Sequence, residues 1–161
     1  MPDFPRLILS QFQASLQMLR NCIAACPAEH WDSPIAKYPF WMVAYHTLCF
    51  ADFYLAPSAD AFNPRPDFHP KGMAELNDEY PSRRFTQAEL LSYTDLCLDL
   101  AQRVIPSESE ATQAGPSGFP RVPLSRAELH LYNLRHIMHH TGQLSASLRR
   151  VGVDTKWVSS G

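Results

Sequence analysis

Apolar residues recur three or four positions apart in four stretches of the chain, which is the spacing of an α-helix buried along one side. In the first stretch an apolar stripe runs from Ile8 to Cys26, and Pro27 ends it. The second stretch, residues 39–55, is apolar on nearly every side and opens with Pro39, which suits a first helical turn. We therefore expect the second helix to be buried on more than one side.

The third and fourth stretches each open with a capping box, in which a hydroxyl and a glutamate three residues later satisfy free backbone donors. The third helix is predicted to begin after Thr86 and to be closed by Pro106. The fourth is predicted to begin after Ser125 and to run to about Val151, where Gly152 stops it.

Two long connections separate the helices, and no stretch alternates like a half-buried strand. Residues 56–85 are rich in proline, and residues 107–124 are rich in serine, glycine and proline. Loops this long are uncommon in a compact domain unless they cross over it or line a site. The chain is therefore predicted to be an all-α four-helix bundle with a long crossover connection between helices 2 and 3. Residues 1–152 are predicted to form its single domain, and residues 153–161 a C-terminal tail.

Composition and charge limit the kinds of partner that the protein is expected to bind. Of the 161 residues 45% are hydrophobic and 19% are charged, and the formal net charge is −2. A basic face for nucleic acid is not indicated, and no run of about 20 apolar residues predicts a membrane span. The N-terminus lacks the pattern of a secretory signal, so we expect a cytoplasmic location. The four cysteines are then expected to be reduced: Cys22, Cys26, Cys49 and Cys97.

Among seven histidines, His136 and His140 stand out because they are four residues apart on the fourth predicted helix. Their side chains project within about 40° of each other and lie about 6 Å apart along the axis. Two imidazoles so placed can converge on one metal ion. An exposed polar face with incidental histidines explains this helix equally well.

His46 lies in the middle of the most hydrophobic predicted helix. A buried neutral imidazole needs a partner, which is either a hydrogen-bonding group of the core or a metal shared with a histidine pair on a facing helix. The remaining histidines are predicted to be less informative. His30 and His69 fall in loops and are expected at the surface, while His130 and His139 point away from the His136/His140 stripe.

The run NLRHIMHHTGQL, residues 133–144, resembles the last-helix signature of the DinB/YfiT-like family. In that family a His-x-x-His-His run precedes Gly-Gln, and its first and last histidines bind metal. His46 matches the position of the third ligand, and helix count, helix order and the long connection are also similar. The resemblance therefore implies metal ligation by His46, His136 and His140. Thr141 stands where the family commonly has arginine, which removes support for an anion-binding role at that position.

Three histidines leave a tetrahedral ion one open position, which is the pattern of catalytic rather than structural zinc sites. Zinc or nickel is the expected ion, with iron, cobalt and manganese as alternatives for imidazole donors. The family includes transferases and isomerases that use low-molecular-weight thiols, and proteins that resemble hydrolases. The resemblance thus implies a metal-dependent enzyme acting on a small molecule. A non-catalytic metal-binding bundle and an interaction scaffold without metal are the alternatives.

Three further residues share the ligand stripe and are candidates to contact the ligands or a substrate: Asn133, Gln143 and Tyr132. The opposite side of the same helix carries an apolar seam. Together with the all-round apolarity of the second helix, this seam predicts a homodimer packed through bundle helices.

Overall fold

The computed structural model describes residues 3–161 as a helical bundle with one small β-hairpin. Four long helices form the bundle, and two short helices and two 3₁₀ turns lie in the connections. The helices are α1 (Phe4–Ala25), α2 (Phe40–Leu55), α3 (Ala74–Asn77), α4 (Gln87–Val104), α5 (Glu110–Ala114) and α6 (Arg126–Arg150). The hairpin pairs β1 (Pro34–Ile35) with β2 (Tyr38–Pro39), and the 3₁₀ turns are Ala28–His30 and Ile105–Ser107.

The four predicted helices are confirmed, with ends set by the expected residues. Both capping boxes form, with Thr86 and Ser125 accepting from the backbone N–H three residues later. Helix α6 ends at Arg150, and Gly152 follows in the left-handed region with φ of 81°. Pro39 lies one residue before α2, as its N-cap.

Helix α2 is buried on several sides, as its composition predicted, because it packs against both α4 and α6. Thirteen of its 16 residues are buried. Helix α1 also packs against α4 and α6 and lies diagonally across the bundle from α2. All four cysteines are free and buried in the helical core.

Contacts between helices give their directions. Arg126 at the start of α6 donates to the carbonyl of Ala56 at the end of α2, whereas the rings of His136 and His46 meet further along α6 and further back along α2. Helices α2 and α6 are therefore antiparallel.

Helix α4 runs in the same direction as α2. Phe85, just before α4, stacks on Tyr45, whereas Tyr93 within α4 reaches Asp52 near the end of α2. The connection between these two helices must therefore return along the bundle.

A buried polar cluster fastens that connection to the bundle. The Tyr93 hydroxyl lies 3.0 Å from Asp52 Oδ2, to which it donates, and 3.0 Å from His69 Nε2. Arg65 forms an ion pair with Asp52 at 2.9 Å and donates its backbone N–H to His69 Nδ1. The expectation that His69 lies at the surface is wrong, since only 2% of it is exposed. Long-range packing of the connection, which local spacing does not encode, buries it.

A second buried polar cluster lies at the start of α6. Glu108 accepts from Arg126 Nε at 2.8 Å and lies 2.8 Å from His130 Nε2. Arg126 also donates to the carbonyls of Tyr54 and Leu55, and so caps the end of α2. His130 points away from His136, as its angle on the helix predicted, and is buried by these partners.

The hairpin was not predicted, because two-residue strands are too short to show an alternating pattern. Its turn includes Ala36 with φ of 53°, a conformation that non-glycine residues seldom adopt. In the described part of the chain, no helix has the length and apolarity required to cross a membrane.

Candidate metal centre

The structure brings His46, His136 and His140 together between α2 and α6. His46 Nε2 lies 3.3 Å from His136 Nε2. The ring centroid of His140 is 5.0 Å from that of His46 and 4.7 Å from that of His136. One nitrogen from each ring can be chosen so that all three lie within 4.8 Å of one another.

Local geometry explains this meeting. His136 and His140 are one helical turn apart on α6, so their rings lie one above the other on the same face. The antiparallel packing of α2 against this face places His46 opposite both. Each histidine is carried by a long helix rather than a loop, which gives the cluster rigid support.

His46 differs from its neighbours in exposure. Residues 40–49 of α2 are otherwise buried, but His46 is exposed, which corrects the expectation that it is a core imidazole. One side of its ring faces a cavity that water can enter, while neighbouring rings cover other sides.

All three imidazoles favour the neutral form. Burial, followed by the nearby charges of His140, His46 and His139, lowers the pKa of His136 to about 3. Desolvation, followed by the charge of His140, lowers the pKa of His46 to about 4. Burial also lowers the pKa of His140, although the hydrogen bond to Gln143 opposes this. Neutral imidazole is the form that binds a metal ion.

Hydrogen bonding orients His140. Gln143 Oε1 lies 2.8 Å from His140 Nδ1 and accepts from it. Since the proton is then on Nδ1, the lone pair of Nε2 is left free to act as a ligand.

His136 is held differently. Its Nδ1 is buried and has no hydrogen-bond partner among residues 3–161. Its ring packs against Phe50, whose centroid lies 5.7 Å away, and Phe50 also packs against His46 at 4.8 Å. Phe50 is in turn surrounded by the aromatic rings of Phe53 and Tyr54, so one flank of the cluster is closed by apolar groups.

The three additional candidates differ in their placement. Gln143 contacts His140 directly. Asn133 is completely buried and donates from Nδ2 to the carbonyl of Ala51. Tyr132 packs edge-on against Tyr54, with ring centroids 5.5 Å apart. Of the three, only Gln143 hydrogen-bonds to a histidine of the cluster in the described part of the structure.

A cavity of about 440 Å³ opens beside the cluster. His46, His140 and Gln143 form part of its wall, and the hairpin, α3 and the segment after α3 form other parts of it. The hairpin was not predicted, so its role as a wall of the cavity was not apparent from the sequence.

The donor set fits a divalent metal ion. Three neutral nitrogens converge, His140 is oriented by its other nitrogen, and no carboxylate belongs to the cluster among the described residues. Imidazole suits zinc, nickel, cobalt, iron and copper, whereas magnesium and calcium prefer oxygen ligands.

These features define a helical-bundle protein with a three-histidine cluster beside a cavity. The family model for the DinB family matches residues 1–160, and the chain belongs to that family. Comparison with curated proteins finds no match.

Proposed function

We propose that this protein binds one divalent metal ion through His46, His136 and His140 and is a metal-dependent enzyme acting on a small molecule. The convergence of three nitrogens within 4.8 Å carries the proposal. The lowered pKa values support it, because metal binding then requires little displacement of protons at neutral pH.

Three protein ligands leave room for a further ligand, and the cavity supplies space for it. When bound, a divalent ion lowers the pKa of a water or thiol in the open position toward 7 and so provides a nucleophile. Zinc or nickel is the proposed ion. The proposed chemistry is transfer or isomerisation with a low-molecular-weight thiol, or hydrolysis.

The protein residues have separate roles in this proposal. His46, His136 and His140 hold the ion, Gln143 orients His140, and Phe50 keeps water from one flank of the cluster. The cavity wall formed by the hairpin and by residues after α3 holds the substrate.

Metal analysis of the purified protein tests the first part. We expect one bound ion per chain in the wild type and its loss in His136→Ala. His139→Ala is the matched control, because His139 is on the same helix, is exposed and lies outside the cluster. Equal metal content in both variants, or no metal in the wild type, contradicts the proposed site.

Activity of the metal-loaded protein tests the second part. Thiol-adduct substrates and simple esters are assayed with the wild type, His136→Ala and His139→Ala. Turnover that the wild type and His139→Ala show and His136→Ala lacks supports an enzyme. Inactivity of the fully loaded wild type across both substrate classes favours the non-catalytic metal-binding bundle.

We also propose that the protein forms a homodimer through α6. Leu131 is 47% exposed on this helix, and the neighbouring seam residues Leu134 and Met138 are half-buried. Light scattering is expected to give a dimer mass, and Leu131→Glu is expected to reduce it. A monomer mass for the wild type at micromolar concentration contradicts this part.

A further inference from the structure

The cavity beside the histidine cluster has the dimensions of a small-molecule site. Its volume of about 440 Å³ lies within the range of roughly 300–1,000 Å³ usual for such sites. His46 and His140 both line it, whereas His136 does not. A ligand that reaches the cluster from this side therefore has the rest of its body in the cavity.

Most of the side chains that line the cavity near the histidines are apolar. Met42, Val43 and Phe50 come from the same helix as His46. Ile35 from the hairpin and Leu76 from α3 complete this surface. Such walls offer dispersion contacts and exclude water, but they provide no hydrogen-bond partner for a polar substrate group.

The charged groups of the cavity disfavour an anionic ligand. Glu79 accepts from Tyr38 at 2.9 Å and pairs with Lys37, which neutralises the ammonium. Glu75 is 7% exposed, and its partners in the described part of the chain are backbone N–H groups and the Ser82 hydroxyl. Asp78 forms no ion pair with any described residue. Among the side chains of the cavity, carboxylates therefore outnumber ammonium groups, so a carboxylate at the far end of a tail, away from the ion, meets net repulsion.

We infer that the substrate of this cavity has a metal-coordinating head group joined to an uncharged, apolar tail that packs against Met42, Val43 and Leu76. This inference rests on the proposed metal site, because the head group binds beside His46 and His140. The apolar side chains select the tail, and the carboxylates that line the same cavity reject anionic tails.

Binding of simple hydroxamates to the cobalt-loaded, full-length protein tests the inference. Metal content is measured first, and affinities then follow from the visible spectrum of the bound cobalt. From acetohydroxamate through butyrohydroxamate to hexanohydroxamate, affinity is expected to rise about three- to fourfold for each methylene buried. The monohydroxamate of succinic acid, which has a chain like that of butyrohydroxamate but ends in a carboxylate, is expected to bind at least tenfold more weakly than butyrohydroxamate.

Substitutions at Leu76 locate the tail. Leu76→Trp is expected to remove the rise in affinity that longer tails give. It is expected to leave metal content and acetohydroxamate affinity unchanged. Leu76→Ala, which opens the same wall, is expected to shrink the gain per methylene. Leu7→Trp is the matched control, because Leu7 is an exposed leucine outside the cavity and its replacement is expected to leave the series unchanged.

The outcomes distinguish this inference from the proposed metal site. A wild type that binds no cobalt overturns both. A cobalt-loaded wild type whose affinity does not depend on tail length, or that prefers the carboxylate tail, overturns the inference alone. The inference alone is likewise overturned if Leu7→Trp and Leu76→Trp change the affinity series equally.

Discussion

Replacing Gln143 by methionine is expected to weaken metal binding about tenfold. The side chain keeps its length but loses the oxygen that accepts from His140 Nδ1 at 2.8 Å. Without this bond, His140 loses the fixed orientation that presents Nε2 to the ion. Loss of such an outer hydrogen bond typically reduces metal affinity about 10- to 100-fold.

The structure favours the low end of that range. Gln143 is exposed, so water can replace the lost acceptor and restore part of the preferred tautomer. Tenfold corresponds to about 1.4 kcal/mol in binding free energy. The helix itself is expected to tolerate the change, because methionine and glutamine have similar helix propensities.

Competition with a chromogenic chelator at neutral pH measures the effect. Gln143→Glu is the matched control, since a carboxylate still accepts from His140 and is expected to keep affinity close to the wild type or to raise it. A Gln143→Met protein that binds metal as tightly as the wild type refutes the reasoning. So does an equal loss in Gln143→Glu, because the hydrogen bond would then not be the cause.

Three further predictions concern the fold around the site. Tyr93→Phe removes the hydroxyl shared by Asp52 and His69 and is expected to cost about 1–3 kcal/mol of unfolding free energy. Ser125→Ala removes the cap of α6 and is expected to cost about 1 kcal/mol in the same urea titration. Glu108→Gln leaves a buried arginine without its counter-charge and is expected to cost about 3 kcal/mol at neutral pH. The difference in unfolding free energy between Glu108→Gln and the wild type is expected to shrink as the pH falls below about 4.

The sign of the Glu108 effect follows from its partners. Burial raises the pKa of this carboxyl, but hydrogen bonds and positive charge from His130 and Arg126 outweigh it, so its pKa lies below the usual value. A carboxyl whose pKa is lowered by folding stabilises the protein above its unfolded pKa, about 4.3, and loses this contribution as the pH falls. If the difference in unfolding free energy between Glu108→Gln and the wild type stays constant down to low pH, the pKa of Glu108 is not lowered by folding.

Exposed residues of the same types serve as controls for these stability measurements. Tyr80→Phe and Glu110→Gln change a hydroxyl and a carboxylate at exposed positions, and Ser92→Ala changes a serine inside α4 rather than at a cap. Each is expected to change the unfolding free energy by no more than about 0.5 kcal/mol. A control that destabilises as much as its buried counterpart shows that the named contact is not the cause.

The sequence allowed the helices and the pairing of His136 with His140 on one helix face to be predicted, because both depend on local order. Capping boxes at Thr86 and Ser125 act within one helical turn, and His136 and His140 share a face whatever surrounds them. His46 could be added to this pair because it lies on the most apolar predicted helix and matches the position of the family's third ligand.

What could not be predicted depends on contacts between distant parts of the chain. The burial of His69 requires residue 69 to meet Tyr93 and Asp52, which no periodicity relates. The cavity depends on a hairpin of two-residue strands and on a segment after α3 that faces it. The exposure of His46 follows from that cavity, and the surrounding sequence alone favours burial.

The protonation of the ring nitrogens distinguishes a metal centre from a cluster of histidines that only hydrogen-bond to one another. His140 donates from Nδ1 to Gln143, so its Nε2 is an acceptor. One proton can be shared between His46 Nε2 and His136 Nε2 at 3.3 Å, but it cannot also satisfy the third ring. Adding a proton to the cluster is disfavoured, since the pKa values of all three histidines are lowered. A divalent cation satisfies three acceptors at once, which is why we favour a metal centre over a hydrogen-bonded histidine cluster.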